Sequence, residues 1–303
     1  MTNLKWLATF FLAATMVPTL LAESHCPGSV ASVPFRLVNR YQMTVAVSVN
    51  HSGPFNFLVD TGTQVTMIDT DLAAELHLST EGSAEVAGAG FHNVASFAQL
   101  DSLGVGADAV GQRVLVYDLQ KLKSVNLSIR GILGEDFLER FDVLIDNAHG
   151  LLCLDNTTSL RATAKGTRVA LLTSAQGSND VSLPNSLIIA VRLSDGNRPV
   201  RLKLDSGANA PFLYNTSQYM ALGLARGKSW SGGGANGKQQ TFSALPLQDM
   251  KIGSLDVPGV LFVTLVGTQK DSRTPEFDGL LSTGLFKRVF ISHTDHIAVL
   301  DPW

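Results

Sequence analysis

Apolar and polar positions alternate with a period of two in two distant stretches of the chain. The first carries Met43, Val45, Val47 and Val49, and the second Leu187, Ile189, Val191 and Leu193. That period puts every second side chain on one face, so each stretch predicts a strand with one buried side. Turn formers follow each, at His51-Ser52-Gly53-Pro54 and Ser194-Asp195-Gly196-Asn197. A second apolar run then leads into Asp60-Thr61-Gly62 in one case and Asp205-Ser206-Gly207 in the other. Short helices are predicted next, starting at Asp69 or Thr70 and near Asn215, all residue types that cap helix N-termini. Leu72, Ala73 and Leu76 give the first of these helices an inward-packing face. Gly-rich stretches, Gly88-Ala89-Gly90 and Gly232-Gly233-Gly234, precede further strands, and apolar closing strands run over 151–154 and 297–300. One run departs from this pattern: Lys5 is followed by an uncharged apolar segment from Trp6 to Ala22. It reads as the basic and hydrophobic regions of a secretory signal peptide, residues 1–22, which places the mature chain in a secreted or periplasmic setting. The run is short for a membrane span and contains Pro18; an uncleaved anchor is the alternative.

These elements form an internal repeat. FNFLVDTGTQVTMI (55–68) matches VRLKLDSGANAPFL (200–213), GILGEDFLERFDVLI (131–145) matches GLLSTGLFKRVFISH (279–293), and LLCLD (151–155) matches IAVLD (297–301). The three pairs keep their order at offsets of 145, 148 and 146 residues, which argues for duplication. The chain therefore divides into a first copy at 33–158, a connection at 159–184 and a second copy at 185–303, each a small β-rich unit with short helices.

Composition narrows the function. Of 303 residues, 45% are hydrophobic and 16% charged, too apolar for a disordered chain and long enough for two domains, each with its own core. The 23 basic and 26 acidic residues leave a net charge of −3 with no block of like charge, so neither a nucleic-acid nor an acidic-lipid partner is indicated. Two cysteines, Cys26 and Cys153, cannot frame a disulfide-rich fold. Export permits them to pair, and a buried free Cys153 is equally open.

The candidate chemistry lies in the two triplets. A random chain of this length would show on the order of 0.1–0.2 Asp-Ser/Thr-Gly triplets. Here two occupy equivalent positions of a repeat. Two equivalent loops can bring two carboxylates together, where like charge forces them to share one proton. The ionised carboxylate can then act as general base on a water while the protonated one donates to a carbonyl oxygen. Gly62 and Gly207 let the backbone pass close to a carboxylate, and the Thr61 and Ser206 hydroxyls are suited to locking the loops.

At these residues the chain resembles the aspartic peptidases. Both loops show an apolar residue followed by Asp-Ser/Thr-Gly-Ala/Ser/Thr, continuing into Thr63 and Ala208, and Gly131-Ile132-Leu133-Gly134 is similar to the second signature of that clan. Each copy resembles a retroviral-type aspartic protease domain, and the tandem, over about residues 33–302, resembles a compact two-lobed pepsin arrangement of bacterial single-chain type. The resemblance implies a mainly β fold of two β-barrel lobes related by a pseudo-twofold axis, with a cleft between them. It implies Asp60 and Asp205 as catalytic dyad, with Thr61, Gly62, Thr63, Ser206, Gly207 and Ala208 as supporting loop residues. It further implies flaps at Gly88, Gly90 and Phe91 and at Gly232, Gly233 and Gly234, closing over an extended peptide. Three features depart from the family pattern: Ser282 stands where the first copy has Gly134, Ala208 lacks a hydroxyl, and Phe91 and His92 replace a flap tyrosine.

Competing motifs carry less. The Gly-x4-Gly-Lys spacing within 231–238 is followed by Gln239 instead of Ser or Thr, so a mobile hairpin tip is the better reading than a phosphate loop. His293-Thr294-Asp295-His296 has metal-capable atoms but no third ligand cluster, and reads as a solvated turn. The expectation is an aspartic endopeptidase acting as a monomer on peptide or protein substrates, with no metal or organic cofactor. The alternative is a peptide-binding or inhibitory pseudoenzyme on the same fold, motivated by Ser282 and the missing flap tyrosine.

Overall fold

The computed structural model describes residues 26–27, 31–38, 42–88, 91–120, 129–155, 157–172, 184–196, 198–214, 227–233, 239–266 and 276–303. The segment 1–22 expected as a signal peptide, Gly90, Gly234 and the helix expected near Asn215 lie outside these residues. The first part of the chain runs β1 (Ala31–Pro34), β2 (Arg36–Val38), β3 (Gln42–Val49), β4 (Ser52–Val59), β5 (Met67–Asp69), α1 (Thr70–Glu75), β6 (Thr80–Gly88), β7 (Phe91–Gln99), β8 (Ser102–Val105), β9 (Ala107–Val110), β10 (Arg113–Tyr117), β11 (Ile129–Leu133), α2 (Glu135–Leu138), β12 (Asp142–Asp146) and β13 (Leu151–Asp155). Next come α3 (Ser159–Thr163) and β14 (Thr167–Ala170). The second part runs β15 (Ile188–Leu193), β16 (Val200–Asp205), β17 (Phe212–Leu213), β18 (Ser229–Gly233), β19 (Gln239–Ala244), β20 (Gln248–Ile252), β21 (Leu255–Val260), β22 (Val263–Leu265), β23 (Gly279–Ser282), a 3-10 turn at Thr283–Leu285, β24 (Phe286–Ser292) and β25 (Ile297–Pro302). The fold is mainly β, with short helices.

The alternation read from the sequence holds. Met43, Val45, Val47 and Val49 of β3 are all buried, as are Leu187, Ile189, Val191 and Leu193 on and beside β15; of the intervening residues Ala46, Ala190 and Arg192 are exposed, whereas Thr44 and Ile188 are buried as well. Asp69 precedes α1 as expected, yet its carboxylate does not cap the helix. It accepts from the Leu119 N–H at 3.0 Å instead, and Leu72 and Ala73 pack inward.

Two large sheets run in the same order. One is β6-β7-β10-β5-β11-β4-β3-β8-β9, with β2 added on β3, and the other is β18-β19-β22-β17-β23-β16-β15-β20-β21. The unusual pairings recur in both: β4 is parallel to β11 as β16 is to β23, and β5 is parallel to β10 as β17 is to β22. The β4–β11 and β16–β23 pairs set the end of an Asp-bearing strand beside the Gly134 or Ser282 segment.

A third sheet, β1-β13-β12-β24-β25-β14, takes strands from both copies. At its centre β12 pairs with β24, and Val143 lies opposite Ile291, which holds the matching position when 131–145 is aligned with 279–293. This differs from the expectation of two units each with its own core. The main buried cluster extends without a break from Val33 to Leu300, because β12 and β13 are covered on both faces and need neighbours on both edges. β14, inside the expected connection, is likewise built into this sheet against β25. Cys26 and Cys153 form a disulfide with a Cα separation of 5.7 Å, resolving the two options left open by the sequence.

Candidate active site

Asp60 follows β4 and Asp205 ends β16. Each carboxylate is held by its own loop. Asp60 accepts from the Gly62 N–H at 2.8 Å and from the Thr63 hydroxyl at 2.7 Å. Asp205 accepts from the Gly207 N–H at 2.8 Å, and Ala208 has no hydroxyl to complete the match with Thr63. The two loops meet face to face. A Cβ on Gly207 would lie 2.6–2.7 Å from the Asp60 carboxyl atoms, and one on Gly62 would lie 2.5 Å from Asp205 Cγ. Only glycine allows this approach, and the two carboxyls are within hydrogen-bonding reach of each other.

Reciprocal bonds fasten the loops. The Thr61 N–H donates to Ser206 Oγ and the Ser206 N–H to Thr61 Oγ1, each at 3.0 Å. The Thr61 hydroxyl donates to Leu204 O at 3.0 Å and the Ser206 hydroxyl to Val59 O at 2.8 Å. All four groups are buried, where a satisfied network rigidifies and a broken one leaves unpaired donors. Two further cross-loop bonds hold the glycine carbonyls. Gln42 Nε2 donates to Gly207 O at 3.0 Å, and Lys203 Nζ donates to Gly62 O at 2.7 Å. Neither residue stands out in the sequence by a motif. Position-by-position comparison of the copies would have exposed Lys203, because Leu58 occupies the equivalent place.

Burial and the neighbouring Asp60 charge push the Asp205 carboxyl up to about 8, partly opposed by Lys203 and by the Gly207 N–H. Under the first loop, Glu135 is buried and its acidity is likewise weakened by desolvation, with His293 and Lys203 opposing. His293 bonds Glu135 at 2.8 Å and faces Phe141 O at 3.1 Å; burial acts to lower its pKa, but the Glu135 contact carries it above the usual histidine value. His293 is therefore not a solvated turn residue: it ties the third sheet to α2, a pairing 158 residues apart that no local pattern announces. Among the described residues no group of three or more His, Cys, Asp or Glu is arranged to hold a metal ion.

Ser282 is accommodated. Its hydroxyl donates to Ala208 O at 2.9 Å and accepts from the Gly284 N–H at 3.3 Å. At Gly134 a Cβ would instead lie 2.8 Å from Val65 C and 2.9 Å from Thr66 N, so the two copies solve the same corner differently. Of the flap candidates, Gly88 and Phe91 pair near the end of the β6–β7 hairpin, and Gly232 and Gly233 lie on β18 paired with β19.

Residues 45–137 match the family described as aspartyl protease. The match spans β3 through most of α2, including the Asp60 triplet and Gly131–Gly134, and ends before the second copy begins. It supports a peptidase, and hence a hydrolase, at the level of that family. Comparison with curated proteins finds no match.

Proposed function

We propose that the chain is a two-lobed aspartic endopeptidase, exported by its N-terminal segment, in which Asp60 and Asp205 act together on one water. The observation carrying this reading is the pair of carboxyls packed face to face, each covered by the glycine of the opposite loop. The matching order of the two large sheets, and the Val143–Ile291 pairing at the centre of the third, support a pseudo-twofold relation between the lobes. The family match at residues 45–137 supports the peptidase class. The ionised carboxylate takes a proton from the water as its oxygen attacks the peptide carbonyl. The protonated carboxyl gives its proton to the carbonyl oxygen, forming a neutral gem-diol. Collapse of that intermediate breaks the C–N bond, the amine leaves with a proton, and the pair again holds one. The dyad titrates as a unit, and burial together with the like charge of the two carboxyls keeps one proton on the pair up to about pH 8. Thr61 and Ser206 keep the carboxyls in register, and the two hairpins cover an extended peptide.

The test is Asp60→Asn. Cleavage of a denatured protein should fall by at least about 10³-fold, with the circular dichroism spectrum unchanged. A pepstatin-type inhibitor should block the wild type and a chelator should not. Full activity in the purified variant would overturn the dyad.

A further inference from the structure

Gly62 O and Gly207 O are each held by a side chain from the opposite copy, but by different chemistry. Gln42 supplies a neutral amide to one and Lys203 an ammonium to the other. The neutral amide shows that tying down such a carbonyl needs no charge. Lys203 is only 4% exposed, two residues before Asp205 on the same face of β16, and the first copy places Leu58 there. Its ammonium lies 5.5 Å from the Phe277 ring, and among the described residues no carboxylate forms an ion pair with it. A buried cation without a contact anion is unfavourable unless negative charge sits nearby.

We propose that Lys203 is a positioning residue for the dyad: anchored on Gly62 O of the Asp60 loop, it fixes a positive charge beside Asp60 and Asp205 and favours the singly ionised pair. This rests on the dyad reading above. The charged groups around it fit. Asp205 and Glu135 both feel its charge; Glu135 is engaged by His293, with Glu139 further along the same segment. Asp278, next to Phe277, is held by Arg198 and the Arg201 N–H. Ile188 lies opposite Lys203 on β15, where Arg192 is exposed. Glu135 shares the Lys203 charge and keeps one buried oxygen, Oε1, without a hydrogen-bond partner, but it has His293 as its contact cation; the dyad is the anionic centre on Lys203's own strand.

The test separates the charge from the hydrogen bond. Lys203→Gln and Lys203→Met remove the cation, and Lys203→Arg keeps it. In protein labelled with ¹³C at the aspartate carboxyls, the dyad signals are those lost in Asp60→Asn and Asp205→Asn. In whichever of the Gln and Met variants is folded, both dyad titration steps should move to higher pH by on the order of 1 unit. The Arg variant should stay within a few tenths of a unit of the wild type. The pH profile of cleavage should shift in the same direction. A folded Gln or Met variant titrating as the wild type, or an Arg variant shifted as far as they are, would overturn the proposal. Titration is readable without cleavage, so absence of peptidase activity would sink the dyad reading alone.

Discussion

Asp205 keeps its proton to about pH 8 because burial and the Asp60 charge both oppose ionisation. The unfolded chain gives up that proton near 3.8. The folded state therefore binds more proton between those values, and stability from this group is full below about pH 4 and drains away as pH rises toward 8. Asp205→Asn has no such titration. Urea unfolding at pH 4 and at pH 8 should show a smaller loss between the two in the variant than in the wild type; equal losses would contradict the raised acidity constant. Cleavage should decline above about pH 8 as the shared proton leaves. At this scale the sequence was informative where chemistry is local. Two triplets in equivalent places pointed to Asp60, Asp205 and their glycines. Lys203 shows in the sequence only as a departure from Leu58, with nothing to say what it binds, and Gln42 and the Glu135–His293 pair were opaque, since the partners of all three lie 141, 165 and 158 residues away and a lone polar residue carries no motif.

Elements that repeat in sequence do not repeat in every contact, and the corner after β11 and β23 measures the difference. Gly134 fits where backbone atoms of Val65 and Thr66 leave no room for a Cβ, whereas Ser282 fits and bonds Ala208 O. Exchanging the two residues should therefore be asymmetric. Gly134→Ser should destabilise by about 1–3 kcal/mol through overpacking against immobile backbone. Ser282→Gly should lose about 1 kcal/mol, the worth of one hydrogen bond and some chain entropy. Chemical unfolding of the two variants checks this, and comparable losses would mean the corner adapts equally on both sides. The strands themselves were legible from period-two alternation, as β3 and β15 show. The third sheet was not, because apolar runs such as Leu151–Leu154 are buried on both faces and such a strand does not say which neighbour it will take.

At the scale of the whole molecule, the shared sheet should make both halves of the chain unfold as one unit. Strands β12 and β24 pair across the middle of a sheet that belongs to both copies, and the main core runs through it. A half cut away would expose the apolar faces of that sheet and leave one edge of β12 or β24 without a partner. Thermal unfolding should accordingly be a single transition with calorimetric and van't Hoff enthalpies equal, whereas two separable domains would give two. The Cys26–Cys153 bond adds to this unit by fastening the segment before β1 to β13, across a sequence separation of 127 residues. Closing so long a loop restricts the unfolded chain strongly, so Cys153→Ser should lower stability by about 2–5 kcal/mol. Because β13 neighbours β12 at the shared sheet, the variant should still melt in one step at a lower temperature. A second transition in Cys153→Ser, absent from the wild type, would show that the disulfide and not the common core holds the two copies together.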